Sequence, residues 1–265
     1  MQLYFTSLNS GSNGNCYYIG NEREAVLVDA GISCRETEKR MKLLGLSMNK
    51  VKAIFVSHEH SDHINGIPVI AKKYGLPVYI TNNTLQNSRL RYDAIQFIHF
   101  QPFDKIEVGQ LQITAFPKAH DAADAHSFIV QQDDFTVGVF TDIGAPCSNL
   151  ISHFKQCHVA FLEANYDDDM LENGGYPIHL KNRIRGGQGH LSNKQALELF
   201  AQHKPPFMKH LLLAHLSKNN NSPKLVKKLF TEQANGTQIT VASRYEATPV
   251  FSINQAQYYV QASLW

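Results

Sequence analysis

The sequence predicts a mixed α/β fold in which two sheets pack face to face with helices outside. Three observations carry that prediction. Short apolar runs of strand length alternate with helical stretches in both halves of the chain, the pattern of layered α/β architectures. With 265 residues and 43% hydrophobic content, the chain can bury a large core, and an α/β fold of this size is read as one domain over 1–265. No apolar run approaches the roughly 20 residues of a membrane span. The start, Met1-Gln2-Leu3-Tyr4, also lacks a basic region followed by a long apolar segment, so a cytoplasmic location without membrane attachment is expected.

Leu3 to Leu8 alternates and reads as the first strand. The loop Asn9-Ser10-Gly11-Ser12-Asn13-Gly14-Asn15 follows, and its Gly and Asn residues permit left-handed backbone. It can be a tight hairpin loop, or it can turn N–H groups around Ser12 and Asn13 toward a phosphate. Strands are expected at Cys16–Gly20 and Ala25–Val28, then a helix from about Ser33, a good N-cap, to Leu44 with Gly45 as its stop. Strand 53–56 leads into a polar loop and a helix from about Ile64 to Tyr74. Strand-like runs follow at Pro77–Ile80, Ala94–Phe100, Lys105–Val108 and Leu111–Phe116, and a hairpin at Ser127–Gln131 and Phe135–Phe140.

In the second half, a helix near Cys147–Phe154 and a strand at His158–Leu162 precede an irregular stretch from Tyr166 to Gly189. Ser192, with Gln195 three residues on, forms a capping box that opens a helix to about His203. Strand 210–214, helix 223–234 and closing strands 238–242 and 248–253 complete the chain. No internal repeat, low-complexity segment or linker interrupts it. The cysteines Cys16, Cys34, Cys147 and Cys157 lack C-x-x-C spacing, which argues against a disulfide framework or a zinc ribbon and for small buried hydrophobes.

The chemistry concentrates in Ser57-His58-Glu59-His60-Ser61-Asp62-His63, directly behind the apolar run Ala53-Ile54-Phe55-Val56. A strand ending at Val56 aims the loop out of the sheet, and alternate residues project the same way, so His58 and His60 can reach one ion together. A helix starting near Asp62 swings that residue and His63 to a second, neighbouring position. Imidazole with carboxylate suits zinc, iron or manganese, whereas calcium or magnesium calls for an all-oxygen shell. An ordinary polar loop has no need of this spacing.

The H-x-H-x-D-H loop resembles the signature of the metallo-β-lactamase fold superfamily. Four further motifs match in order: Val28-Asp29-Ala30-Gly31, Pro117-Lys118-Ala119-His120-Asp121, Phe140-Thr141-Asp142 and Leu213-Ala214-His215. The resemblance spans the chain and implies a four-layer αββα sandwich holding two divalent ions, zinc first, manganese or iron as alternatives. It implies His58, His60 and His120 around one ion, Asp62, His63 and His215 around the other, and Asp142 between them. Asp29 would orient the ligands or their loop. Two such cations roughly 3.5–4 Å apart acidify a shared water and clamp the attacking and leaving oxygens of a displacement. Asp62 would accept the proton of that water.

Gly189-His190-Leu191-Ser192-Asn193 opens the capped helix and resembles the tRNA 3′-processing branch, in which the corresponding His donates a proton to the leaving group. A Glu on a preceding strand orients it there, and Phe161-Leu162-Glu163-Ala164-Asn165 stands in that place. Glu163 and His190 are thereby expected to form a general-acid dyad. With the motifs around Ser10, His120 and His215, the chain resembles the YycJ/VicX-type bacterial subfamily, which implies a nuclease acting on DNA, exonuclease-like. The interval from Asp142 to His190 is too short for an inserted clamp domain, and no long tRNA-gripping arm is visible. His99, His126, His153, His158, His179, His203 and His210 lack motif context and are expected to be structural.

Charge is unevenly distributed despite a net of +2. Residues 121–170 hold nine acidic and one basic residue, whereas 171–230 hold ten Lys or Arg and two Glu. Lys181, Arg183 and Arg185, just before His190, are the expected phosphate contacts, with a merely solvated basic surface as the alternative. A rival enzymatic reading is hydrolysis of a small ester, thioester, lactone or cyclic phosphodiester by the same metals. A metal-free binding protein is disfavoured because every ligand position is intact, and a redox di-iron site because His60 stands where that branch carries Glu. Oligomeric state is not legible in the sequence.

Overall fold

The computed structural model describes residues 2–90 and 94–254. Strands β1 (Gln2–Asn9), β2 (Cys16–Gly20) and β3 (Ala25–Val28) form an antiparallel meander. Helix α1 (Cys34–Leu43) starts where the Ser33 side chain accepts from the Glu36 N–H. Then come β4 (Val51–Phe55), parallel to β3, the short α2 (Ser61–Ile64), α3 (Ile67–Tyr74), β5 (Val78–Tyr79), α4 (Asn82–Asn87) and β6 (Phe97–Ile98). The second half runs through β7 (Lys105–Val108), β8 (Leu111–Pro117), β9 (His126–Gln132), β10 (Phe135–Phe140), α5 (Ser148–Phe154) and β11 (Val159–Glu163). It continues with α6 (Asp168–Asn173), α7 (Ile178–Arg185), α8 (Asn193–His203), β12 (His210–Ala214), α9 (Pro223–Thr231), β13 (Gln238–Val241) and β14 (Phe251–Asn254).

The strands assemble into two seven-stranded sheets, ordered β14-β1-β2-β3-β4-β5-β6 and β13-β12-β11-β10-β9-β8-β7. Each sheet is antiparallel on one side and parallel on the other, with the changeover at β3 in the first and β10 in the second. The carboxyl ends of the parallel strands are where α/β proteins place their ligands.

Alternation along the strands decides the layers. Phe5, Tyr17, Val28 and Phe55 of the first sheet meet Phe128, Val139, Phe161 and Leu212 of the second in a shared core. Phe55 and Phe128, for example, meet edge-on at 5.7 Å between ring centroids. The opposite face of the first sheet, with Tyr18, Leu27 and Ile54, packs under Met41 of α1 and Ile67 and Ile70 of α3. That of the second, with Ala160, Leu162 and Leu213, packs under Leu150 and Phe154 of α5, Phe200 of α8 and Phe230 of α9. The result is the expected order of helices, sheet, sheet, helices.

Three expectations need correction. The helix read as Ile64 to Tyr74 is two helices, broken at Asn65-Gly66, because the Gly66 N–H donates to the Ala30 carbonyl at 2.8 Å and Pro68 has no N–H to continue the ladder. The stretch read as irregular between Tyr166 and Gly189 contains α6 and α7; α7 has no buried residue, so it carries no apolar periodicity to read. Helix α4, unread in the sequence, begins at the Thr81 cap. Cys16, Cys34 and Cys157 are buried, but Cys147 is only half-buried.

Candidate metal centre

Each candidate ligand is delivered just beyond a strand of the two central sheets. Asp29 follows β3, His58 and His60 follow β4, and Asp62 and His63 lie in α2. His120 follows β8, Asp142 follows β10, Glu163 ends β11 and His215 follows β12. Asp29, Asp142 and His215 are left-handed, with φ of 59°, 54° and 55°. Non-glycine residues hold that conformation only where surrounding structure compels it, at a cost of order 1–3 kcal/mol each, and such strain clusters at functional sites.

The imidazoles are held by their inner nitrogens. Asp29 accepts from His63 Nδ1 at 2.7 Å, and from the Ser57 N–H and hydroxyl at 2.8 Å each. The Ser57 hydroxyl in turn lies 2.9 Å from His58 Nδ1. His120 Nδ1 donates to the Gly189 carbonyl at 3.1 Å. These contacts leave the outer nitrogens of His63 and His120 facing the space between the sheets. Holding one imidazole nitrogen to orient the other is the usual preparation of a histidine for a metal.

The outer atoms converge. His58, His60 and His120 form one compact group, Asp62, His63 and His215 another, Asp142 joins His58 and His63 in a third, and Asp142, Glu163, His190 and His215 make a fourth. His58 Nε2 and His60 Nδ1 approach to 3.1 Å, and Asp142 Oδ2 lies 3.2 Å from His63 Nε2. His120 Nε2, His215 Nε2 and Asp142 Oδ2 are buried with no hydrogen-bond partner. An unsatisfied buried polar atom costs about 1–3 kcal/mol, more when charged. Three of them in one cluster of imidazoles and carboxylates fit divalent cations, and the donor set is that of transition metals rather than calcium.

Electrostatics in the metal-free chain follow from burial and crowding. Burial pulls His58 well below the usual imidazole range and brings His120 down to about 4. Burial also opposes charge on His63 and His215, but Asp142 and the neighbouring carboxylates outweigh it, holding His63 well up and His215 at about 10. Protons therefore occupy nitrogens that cations would otherwise take.

Glu163 is fully buried, and its Oε1 accepts from His190 Nδ1 at 2.8 Å and from His215 Nδ1 at 2.9 Å. Its Oε2 accepts from the Ile143 N–H at 2.7 Å. Burial opposes its ionisation, but His190 and these hydrogen bonds hold it down at about 2. A carboxylate can only accept, so both Nδ1 atoms carry hydrogen. The His190 side chain remains 18% exposed beside the cluster, and its ring centroid lies 5.2 Å from that of His215.

The candidate phosphate contacts are less free than their charges suggest. Arg183 pairs with Asp121 at 2.5 Å, Arg185 with Glu172 at 2.9 Å, and Lys181 donates to the Glu172 carbonyl. In loop 10–15 the N–H groups of Ser10, Gly11, Gly14 and Asn15 are taken by protein acceptors, and Asn13 Nδ2 donates to the Arg244 carbonyl at 2.9 Å. Ser12 and Asn13 are exposed.

Four positioning residues escaped the sequence reading. Ser57 links Asp29 to His58, Asn15 Nδ2 donates to Asp62 at 3.2 Å, Asn165 Nδ2 donates to the His215 carbonyl at 2.8 Å, and Ser10 accepts from the His215 N–H at 2.7 Å. All lie in or beside motifs quoted above, but their partners are distant in sequence. The seven histidines expected to be structural belong to none of the metal-sized groups among the described residues. His153, for instance, stacks on Phe116 at 4.0 Å.

Two helix-clad sheets with this cluster at their strand ends define a metallo-β-lactamase-type hydrolase. The family described as Beta-lactamase superfamily domain matches residues 24–216, and the chain belongs to it and, within it, to the group whose members are named YycJ and WalJ. It is 36% identical to the Exodeoxyribonuclease YycJ of Bacillus anthracis over 86% of this chain and 87% of that one. It is 31% identical to the Exodeoxyribonuclease WalJ of Streptococcus pneumoniae over the same shares. The metallo-beta-lactamase fold protein YhfI from Bacillus subtilis superposes with a TM-score of 0.74, over 96% of this chain and 100% of that chain, at 19% identity. The last likeness is one of fold.

Proposed function

We propose that the chain is a single-domain, metal-dependent phosphodiesterase acting in the cytoplasm as an exonuclease on DNA. The observation that carries this reading is the Glu163–His190 contact of 2.8 Å beside the two ligand groups. A thioester hydrolase has no need of such an imidazole, because a thiolate departs without a proton donor, whereas the sugar alkoxide released from a phosphodiester needs one. The names of the curated relatives support the same reading.

His58, His60 and His120 would hold one ion, Asp62, His63 and His215 the second, with Asp142 shared, zinc being the best match to the donors and manganese or iron the alternatives. When bound, the pair supplies Lewis acidity and an acidified water. The remaining steps belong to the chain. Asp62, oriented by Asn15, accepts the proton of the attacking water. His190, its Nδ1 fixed by Glu163, gives the proton of its other nitrogen to the departing deoxyribose alkoxide. Asp29 and Ser57 keep His58 and His63 in register.

The test is purified protein loaded with zinc or manganese and offered end-labelled single- and double-stranded DNA and RNA, bis(p-nitrophenyl) phosphate and a thioester. Progressive shortening of DNA from an end is expected. Turnover of the thioester alone would overturn the reading.

A further inference from the structure

A cleft of about 340 Å³ opens beside His215, bordered by Ser10, Leu216, Lys218, Ser243, Arg244 and Tyr245. It adjoins the candidate metal centre directly: Ser10 accepts from the His215 N–H at 2.7 Å, and Leu216 follows that ligand in the chain. Its size lies at the lower end of the roughly 300–1,000 Å³ of small-ligand pockets, room for one nucleotide rather than a duplex.

The outer wall is built in an unusual way. Three consecutive main-chain carbonyls of loop 241–246 are pinned: Ser243 by the Ser10 N–H at 3.1 Å, Arg244 by Asn13 Nδ2 at 2.9 Å, and Tyr245 by Arg40 Nη2 at 2.9 Å. Arg40 is itself buried, with its other donors on the Leu8 carbonyl, Asn9 and Glu36. The backbone of the wall is thus fixed, with the Ser243 hydroxyl also accepting from the Tyr245 N–H at 3.0 Å, while the side chains of Arg244 and Tyr245 take no part in fixing it. Tyr245 is 71% exposed, and among the described residues Arg244 and Lys218 make no ion pair, in contrast to Arg183 and Arg185. The two cations outnumber the one carboxylate at the rim, Glu246.

An exposed aromatic ring and an unpaired cation on a rigid loop, with a second unpaired cation, Lys218, lining the same cleft, form the combination that binds single-stranded nucleic acid, the ring stacking on a base and the cations tracking phosphates. We propose that this cleft seats one nucleotide of a single DNA strand next to the bond being cut, with a phosphate on Arg244 and Lys218 and the base on the Tyr245 ring. The proposal rests on the nuclease reading and assigns that function's strand-binding residues to Lys218, Arg244 and Tyr245 instead of the 181–185 segment.

The experiment uses the full-length protein, with anisotropy of a labelled single-stranded oligonucleotide after EDTA treatment, and KM and kcat of the metal-loaded enzyme on the same strand. R244Q and K218Q should each weaken binding about five- to tenfold and lower the salt slope by about 0.7, the value for one phosphate contact to a single strand. Y245A should weaken binding about fivefold or more with the slope unchanged, and Y245F should restore it, since a stacked ring is neutral. KM should rise in these variants with kcat nearly constant. K39Q, which removes an exposed charge from α1, is the control and should behave as wild type. The main-chain anchors survive each replacement, so the loop keeps its place. If R244Q, K218Q and Y245A all bind like wild type while wild type degrades DNA, the cleft assignment is wrong and the nuclease reading stands. If wild type neither binds nor degrades DNA yet hydrolyses bis(p-nitrophenyl) phosphate, the nuclease reading fails and takes the cleft with it.

Discussion

Glu163 and His215 are in contact: the same Oε1 that accepts from His190 Nδ1 accepts from His215 Nδ1 at 2.9 Å. From the sequence, Glu163→Ala is expected to mimic His190→Ala. The shared contact separates the two. His190→Ala should keep both metals and lose at least tenfold in kcat on DNA, while sparing substrates with a nitrophenolate leaving group, which needs no proton. Glu163→Ala should do the same and also lower metal content, because a candidate ligand loses its orienting acceptor, a change that typically costs 10–100-fold in metal affinity. Elemental analysis beside kinetics on both substrates decides it. Equal metal content in the two variants would show that His215 needs no help from Glu163.

Asp142 touches both ligand groups. Asp142→Ala should release both ions together, whereas His120→Ala and His215→Ala should each weaken one site more than the other. Metal titration monitored by calorimetry distinguishes two losses from one.

The metal-free chain should be most stable at about pH 6.5, the ordinary imidazole range, because His58 and His120, held low by burial, favour the fold while neutral and lose that contribution as pH falls below it. Glu163 is lowered to about 2, so its contribution is present above the ordinary carboxylate range and lost as pH falls toward 2. His215 is raised to about 10, so its contribution is complete below the ordinary imidazole range and lost as pH rises toward 10. Denaturant unfolding in EDTA across pH should therefore decline on both sides. Added zinc should reverse the alkaline loss, since it takes the neutral imidazole and releases the proton. A flat profile from pH 5 to 10 would contradict the assignment.

Gly31 packs under the ligand loop, where a Cβ would lie 1.7 Å from the Asp62 carbonyl oxygen and 2.7 Å from the Asn15 nitrogen. Backbone on both sides cannot yield cheaply. Gly31→Ala should cost about 1–3 kcal/mol of stability, the usual range for overpacking, and should lower metal content by displacing Asp62. Gly45→Ala, where no atom lies within 4 Å, should leave metal content unchanged.

Lys181 and Arg185 already engage Glu172, and Arg183 engages Asp121. Replacing Arg183 or Arg185 by Gln should change DNA affinity less than twofold and leave the salt slope within about 0.3 of wild type, because a cation already paired with a carboxylate releases few counterions. A drop of a full slope unit would return these residues to the phosphate path.

What the sequence determined by itself was local in nature. Ligand spacing in residues 58–63, strand-ending Asp29, Asp142 and His215, the Ser33 and Ser192 caps and most strands follow from period, capping and residue type within short windows. The class of chemistry came with them, because imidazole and carboxylate at those spacings suit few other roles. Tertiary structure alone decided what depends on distant partners. It brought Ser10 under His215 across 205 residues, Asn15 onto Asp62 across 47, and one carboxylate oxygen of Glu163 onto two histidines. It placed β14 against β1 and pinned loop 241–246 with Arg40. It also neutralised Arg183 and Arg185 with Asp121 and Glu172, a pairing hidden from a tally of charge along the chain. Composition records how many cations a segment holds. Only the fold settles which of them face a carboxylate and which face open solvent, because that is fixed by chain segments that meet only once both sheets have formed.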